Sequence, residues 1–412
     1  MKRLLASGKV KLLDYPNLIR LNPNIPWKTR GNAALSIRIS TSLGRKQVFD
    51  TCKKYVKKFA SSPRANAGLV LYEGVEIPEK IRQFSRRALY TVLGIREAMN
   101  LAEELQIDSF ALRSRQGLVG AIAAVGNVLS GDHTFELIAY RKKLSLPRRL
   151  VKSKIVAVSK ASGTFSSYDE VYDRIMIAPH GPDPVLCGIR GETATAVKSA
   201  FELLSPVENL LGWMIFRSNQ GTGEHLSELI DLGEPAVYSS GKVFGRVLSR
   251  PKPQLGGHVF FTIGNEDGSM VCACYEPTAS FRKDAMQLRE DDYLEVGGGV
   301  RKPTRSHPIA LNLEYFRPLK LAAKVEYHNP FCSKCKVSMS SMGTSQGYRC
   351  PKCRRRSSEE KSTKELTREL KPRQVYLPPV KAHRHLTRPK IRYSVSGKSA
   401  SLPVKLVPSW FN

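Results

Sequence analysis

Past residue 240 the chain reads Gly241-Lys242-Val243-Phe244-Gly245-Arg246-Val247-Leu248, then His258-Val259-Phe260-Phe261-Thr262-Ile263, then Met270-Val271-Cys272-Ala273-Cys274-Tyr275. Each run is rich in β-branched and aromatic side chains and is separated from the next by glycine, proline or charge, the pattern of short strands. Two more such runs follow at 293–300 and 309–316, and a helical stretch at 278–288 falls between the third strand and the fourth. Five strands with a helix in that place is the order of an OB-fold barrel, here over 236–318, whose open face commonly binds single-stranded nucleic acid. An SH3-like barrel or a purely structural β domain is the alternative left open by the pattern. His258, Phe260, Tyr275 and Arg282 are the candidates for RNA contact on this barrel.

Upstream the texture changes. Residues 1–143 alternate apolar β-branched runs, 35–39 and 68–71, with helical periodicity over 81–105 and 118–129, which reads as an α/β unit. A second α/β unit is expected over 144–232, with strands at 155–158, 171–177 and 213–216 and a helix at 195–204. The order suits a small ferredoxin-like sandwich.

Downstream, Cys332-x-x-Cys335 and Cys350-x-x-Cys353 are knuckles separated by 14 residues. That spacing brings four thiolates around one tetrahedral ion and predicts a zinc ribbon over 326–356. The segment is too short for a core of its own, so the metal supplies folding energy. A disulfide pair or an iron site is the alternative. Cys52, Cys187, Cys272 and Cys274 lack such partners and read as small buried apolar side chains. From 354 to the end there are 15 Lys or Arg against four Glu, with no acid after Glu369. The basic tail, 357–412, is therefore expected to be extended or partly disordered unless RNA orders it. Arg384 and Arg388 join the RNA-contact candidates; Tyr376, Tyr393 and Trp410 serve either to stack on bases or to anchor the tail on the barrel.

Composition bounds the partners. Sixty-six Lys and Arg against 36 Asp and Glu leave +30 over 412 residues, which favours a polyanion over a neutral ligand. The longest uncharged stretch, 116–131, contains four glycines and is short of the roughly 20 residues that a membrane-spanning helix needs. Met1-Lys2-Arg3-Leu4-Leu5 runs into Gly8 and further lysines without the apolar stretch of a signal peptide. The chain is expected in a reducing cytoplasm, where thiols bind metal rather than pair.

Three loops carry candidate chemistry. Arg20-Leu21-Asn22-Pro23-Asn24-Ile25-Pro26-Trp27-Lys28-Thr29-Arg30-Gly31-Asn32 joins two strand-like runs. Lys28 and Arg30 supply charge and Gly31 permits close backbone approach, which suits a phosphate, although an ordinary surface turn is the alternative. His180-Gly181-Pro182-Asp183-Pro184-Val185-Leu186-Cys187-Gly188-Ile189-Arg190-Gly191-Glu192 sets a carboxylate and an arginine among prolines and glycines, a rigid loop that positions side chains or simply turns. In Arg115-Gln116-Gly117-Leu118-Val119-Gly120-Ala121 the glycines open an apolar helix, and close packing is their expected role.

Taken in order, these loops with Asn219-Gln220-Gly221-Thr222-Gly223-Glu224-His225-Leu226, Gly256-Gly257-His258-Val259-Phe260 and Tyr275-Glu276-Pro277-Thr278, ending in the four-cysteine ribbon, resemble the archaeal tRNA-isoleucine 2-agmatinylcytidine synthetase (TiaS) family. The resemblance runs from about residue 12 to the tail. It implies a multidomain α+β chain: a kinase-like α/β domain over 1–143, a ferredoxin-like domain, an OB-fold, a zinc ribbon and the basic tail. It implies ATP, Mg2+ and Zn2+, and as partners agmatine and tRNA-isoleucine with a CAU anticodon, with no obligate protein partner and no membrane. The implied reaction splits ATP, phosphorylates the oxygen on carbon 2 of the wobble cytidine, and lets the primary amine of agmatine displace the phosphate, so that AUA is decoded. On that footing Lys28, Arg30 and Asp183 are candidate catalytic residues, and Lys28, Thr29, Arg30, Gly31, Asn32, Gly117 and Gly120 are candidates for ATP. Asp183, Glu192 and Glu276 are candidates for agmatine.

One departure qualifies the resemblance. The family's opening strand, with its acid-rich Gly-Ile-Asp-Asp-Thr-Asp-Ser stretch, has no counterpart here; the adjacent aspartates of this chain, Asp291 and Asp292, lie in the barrel. A truncated form or a start placed too late is the expectation, and with it a chain that binds tRNA and turns over poorly. The alternative function is that of a tRNA-binding or single-strand-binding OB-fold and zinc-ribbon protein.

Overall fold

The computed structural model describes residues 1–28, 31–60, 65–179, 181, 183–305, 307–323, 325–343, 345–365, 367–395 and 402–412, with the backbone alone at 325–327 and 362–365. Its architecture is mixed α/β with a five-stranded barrel. A six-stranded sheet runs in the order Ala33–Ser36, Asn17–Arg20, Leu210–Ser218, Thr134–Arg141, Val185–Gly191, Thr164–Phe165. Asn17–Arg20 joins Leu210–Ser218 in parallel, whereas Thr134–Arg141 pairs antiparallel with both of its neighbours. The expected boundary after residue 143 assigns Thr134–Arg141 to the first unit, yet this strand is central to the sheet of the second. The two α/β units share one sheet.

Helices Lys152–Lys160 and Ala194–Leu204 cover one face of this sheet. Residues 155–158, expected as a strand, lie in the first of them. Ile155 and Val158 are fully buried and pack with Val197 and Ala200; one buried helical stripe outweighs the few tenths of a kcal/mol that β-branched residues cost a helix. Of the strand expected at 171–177 only Arg174–Ile175 forms. The periodicity over 81–105 is two helices, Glu79–Tyr90 and Ile95–Glu104, separated at Gly94. With Gly117–Gly126 they enclose a core of Ile81, Phe84, Ala98 and Ile122 that reaches Ile19 and Leu21 on the sheet.

The barrel strands are Ser240–Val247, Val259–Gly264, Ser269–Cys274, Tyr293–Arg301 and Ala310–Lys320, each within a few residues of its expected position. The first pairs with the fourth and, at Arg246 and Val247, with the second, which closes the cylinder. The third and fifth pair in parallel. Helix Ser280–Ala285 sits between the third and fourth strands, its Phe281 and Ala285 fully buried in the barrel core with Phe261, Val296 and Phe316.

The tail is not the extended segment that its charge suggested. Tyr376 stacks on Phe316 of the barrel with ring centroids 4.9 Å apart. Arg392, fully buried, is held by Asp132 at 2.7 Å and Glu192 at 2.6 Å. Trp410 meets Tyr15 edge-on at 5.5 Å, and its carbonyl accepts from Ile215 of the sheet. Anchoring to the body is thus the role the structure gives Tyr376 and Trp410. No helix among the described residues is long and apolar enough to cross a membrane.

Candidate active site

The loop 21–32 leaves strand Asn17–Arg20 and is clamped onto the barrel before it returns. Asn22 donates to the Tyr238 carbonyl at 2.9 Å, and Asn24 donates to the Ser240 hydroxyl at 2.8 Å. Gly299 permits this approach: a Cβ there would lie 1.8 Å from the Asn24 amide nitrogen. Asn32, an ATP candidate, closes the loop, its side chain donating to the Asn22 carbonyl at 2.8 Å. Thr29 and Arg30 lie outside the described residues.

Under the loop lies a cavity of about 270 Å³, lined by Arg20, Leu21, Pro23, Lys28, Gly31 and, from the tail, Arg384, His385 and Leu386. Its charge is strongly positive. Arg20 is 3.7 Å from Glu136, and Arg190 is 3.3 Å from the same carboxylate. Burial pulls the Arg20 guanidinium down to about 10, Glu136 opposing the fall and Arg190 adding to it. Partial burial, Arg384 and Arg301 together lower Lys28. Arg20, Lys28 and Arg384 line the cavity, with Arg190 beside Arg20 on the one carboxylate of Glu136, a set of cations that favours an oligophosphate, whose charge relieves the repulsion.

The tail segment is fixed from two sides. Gly221 and Gly223 donate to the His385 and Leu386 carbonyls at 2.9 and 2.8 Å. Arg384 ion-pairs with buried Glu314 at 3.1 Å, and Glu314 also accepts from His225 and Thr387. Although burial raises the Glu314 carboxyl, His225 and Arg384 hold it down at about 2. Arg388, an RNA candidate, donates to the carbonyls of Arg392 and Val395, shaping a tail turn.

The other candidates divide. Gly117 is the first residue of helix Gly117–Gly126, and a Cβ on it would lie 2.2 Å from the Gly68 nitrogen. It serves close helix–strand packing, as its loop reading expected, and does not line the cavity. A Cβ on Gly120 would meet Ala34 and Leu21 at ordinary contact distance, 3.4 and 3.5 Å. Asp183 caps its own turn, accepting from the Val185 amide at 2.8 Å, while Arg148 collects the carbonyls of Gly181, Asp183 and Val185. Glu192 lies past the far end of strand Val185–Gly191, whose seven residues span about 20 Å, and is engaged by Arg392. Glu276 pairs with Arg282 on the barrel. The three agmatine candidates do not form one cluster.

The barrel candidates do assemble. His258, Phe260 and Tyr275 form a half-buried aromatic group, with His258 5.2 Å from Tyr275 and Phe260 5.9 Å from Tyr275. His307 stacks on Phe260, and Arg301 lies over the Tyr275 ring. Arg282 donates to the Gly257 carbonyl and braces the rim. The strand that carries Arg301 also carries Gly299, on which Asn24 of the cavity loop packs, so this side of the barrel adjoins the loop.

In the ribbon the four cysteine sulfurs lie within 4.8 Å of one another, compatible with a tetrahedral zinc whose Zn–S bonds are about 2.3 Å. The knuckles are built alike. Lys336 and Arg354 adopt positive φ and donate to the carbonyls of Cys332 and Cys350 at 2.8 and 3.0 Å. Among the described residues this is the one group of three or more metal-capable side chains. Burial raises the thiols of Cys187, Cys272 and Cys274, as expected of inert core cysteines.

Comparison with known proteins decides the family. Three family models match: the TiaS TCKD domain over residues 1–50, the TiaS FLD domain over 115–225 and the TiaS C-terminal zinc ribbon domain over 329–370. The tRNA-isoleucine 2-agmatinylcytidine synthetase TiaS of Cenarchaeum symbiosum is 39% identical, covering 100% of this chain and 91% of the relative. The chain belongs to the tRNA-isoleucine 2-agmatinylcytidine synthetase TiaS family. The TiaS of Thermococcus sibiricus is 37% identical over 92% of this chain and 88% of its own. Among solved structures, a complex of TiaS with its isoleucine tRNA and ATP superposes with TM-score 0.82 at 34% identity, covering 96% of this chain and 93% of that one. A complex of TiaS with the same tRNA, AMPCPP and agmatine gives 0.79 at 31% identity, covering 96% and 92%.

Sequence reasoning missed Glu136 and His385, and quoted Arg20 and Arg190 in their loops without giving them a role. Arg20 and His385 stand near opposite ends of the chain, and no local pattern joins them; the Asn219-Gln220 motif was the available signal, since Gln220 bridges Glu136 and His385.

Proposed function

We propose that this chain is an ATP-dependent tRNA-modifying ligase that joins agmatine to carbon 2 of the wobble cytidine in the CAU anticodon of tRNA-isoleucine, so that AUA is read. The observation that carries the reading is the cationic cavity of Arg20, Lys28 and Arg384 beside the aromatic face of the barrel, in a member of the TiaS family. The cavity takes the ATP phosphates; His258, Phe260 and Tyr275 offer ring faces to the bases flanking the wobble position.

The carbon-2 oxygen of the cytidine attacks a phosphoryl group of ATP, the anhydride bond breaks, and Lys28 and Arg384 stabilise the charge that develops on the transferring oxygens. The primary amine of agmatine then attacks carbon 2, the carbon–oxygen bond breaks, phosphate departs, and the amine loses a proton. Asp183, Glu192 and Glu276 are the candidates for agmatine: Asp183 sits on a turn that Arg148 holds in place, Glu192 faces Arg392 and Glu276 faces Arg282. Magnesium would be held chiefly by the ATP phosphates, where it would offset the charge of the transferring group.

The barrel's closure and strand order support the OB-fold assignment, and the order fourth, first, third, second within Leu210–Ser218, Thr134–Arg141, Val185–Gly191 and Thr164–Phe165 supports a ferredoxin-like unit that begins at Thr134 rather than at 144. The test is incubation of the purified chain with labelled agmatine, ATP and a tRNA-isoleucine transcript, followed by nucleoside mass spectrometry. Label that requires both ATP and the wobble cytidine is expected; label in a transcript with uridine at that position, or none at all, would overturn the assignment.

A further inference from the structure

Helix Arg45–Phe59 carries six cations, Arg45, Lys46, Lys53, Lys54, Lys57 and Lys58, against the single acid Asp50. Its buried side is thin: Val48 is its one fully buried residue, with Cys52 and Val56 half-buried beside it. At about 100° per residue, Lys46, Lys53 and Lys57 form one stripe about 16 Å long, and Lys54 and Lys58 stand on the outward side of it. Lys53 and Lys57 lie over the ring of Phe110, at 5.0 and 5.4 Å, which pins the stripe to the neighbouring strand. At the end of the helix Tyr55 and Phe59 stack in parallel, 14° apart, and Phe59 is 72% exposed.

None of this is used by the cavity or the barrel face. A flat aromatic pair flanked by lysines is costly to leave in water and has the chemistry of a nucleic-acid contact, charge for phosphates and a ring face for a base or ribose. An anionic bilayer would need a continuous exposed apolar face, and the apolar side of this helix is turned to the body. We infer that the outward face of helix Arg45–Phe59 is a second docking surface for the sugar-phosphate backbone of the substrate tRNA, separate from the barrel. The inference rests on the proposed tRNA substrate.

The experiment uses the full chain and two variants, K54Q/K57Q/K58Q and Y55S/F59S, with tRNA-isoleucine affinity followed across a series of salt concentrations. Loss of three phosphate contacts should flatten the slope of log affinity against log salt by about 2–3. At saturating tRNA kcat should be unchanged, while the KM for tRNA rises. The aromatic variant should weaken binding roughly tenfold or more with the slope kept, because stacking releases no counter-ions. Wild-type chain that fails to bind tRNA overturns the substrate assignment itself. Wild-type binding with a slope unaffected by K54Q/K57Q/K58Q overturns the helix surface alone. Helix-dependent pelleting with phosphatidylserine vesicles, together with an unaffected tRNA slope, would give the face to a membrane instead and also overturn it.

Discussion

Lys28 is a cation set among cations, and that placement makes a pH-dependent prediction. Burial, Arg384 and Arg301 disfavour its charged form, so the phosphate affinity it supplies is full at neutral pH and is lost, as pH rises, earlier than an ordinary lysine near 10.4 would allow. Arg384→Gln should weaken ATP binding overall while moving that loss to higher pH; KM for ATP measured between neutral pH and about 10 reads both effects, and an unmoved decline would separate Arg384 from Lys28. Lys28→Ala should raise that KM roughly tenfold or more, the worth of a charge-assisted hydrogen bond. Glu314 supplies the opposite case. Its folded-state value of about 2 is below the unfolded value near 4.3, so its stabilisation is present above about 4 and is lost as pH falls toward 2, of the order of 3 kcal/mol in all. Glu314→Gln should flatten the acid limb of a plot of melting temperature against pH. Of these groups, Lys28 and Gly31 were legible because the cavity loop is continuous in sequence. Glu136 was not, since its strand reads as an apolar run in which one buried acid does not stand out until arginine and glutamine side chains from other elements converge on it.

Among the elements, those whose stabilising contacts are local were the readable ones. The barrel strands alternate Val243, Phe261 and Val296 inward with Lys242, Thr262 and Glu295 on the other face, and period-2 patterning marks such strands without tertiary knowledge. The ribbon was equally legible, since ligand spacing fixes it. Residues 155–158 were misread because a short β-branched run has no period of its own; the deciding partner, helix Ala194–Leu204, comes much later in the chain. The ribbon's independence makes a further prediction. Its buried core is Cys332, Met339 and Cys350, separate from the barrel core. Cys350→Ala should therefore abolish stoichiometric zinc by elemental analysis while the main unfolding transition of the body persists; retention of one zinc per chain would show that three thiolates suffice.

At the scale of the molecule the tail is what joins the parts, and this changes how truncation must be read. Removing residues past 354 would strip Tyr376 from the barrel core and Arg384 from the cavity, so loss of tRNA affinity would report folding as much as phosphate contact. Charge content foretold solvation, but Arg392 is fully buried because Asp132, Glu192 and the Gly221 carbonyl together satisfy it. Two point substitutions separate the roles of the strap. Trp410→Ala removes packing on Tyr15 of the sheet core and should cost about 3–5 kcal/mol, yet it lies beyond the segment that lines the cavity. Arg392→Ala removes the cation that Asp132 and Glu192 share and leaves Asp132 its longer pair with Arg388 at 3.7 Å, at a similar cost, and also loosens the tail just downstream of Arg384 and His385. Both variants should melt at lower temperature, and only Arg392→Ala should raise the KM for ATP. Arg392→Lys should not restore it, because one ammonium cannot make paired contacts with two carboxylates and a carbonyl. An unchanged KM in Arg392→Ala, at a temperature where the variant is still folded, would show that the cavity holds its tail residues without the buried arginine.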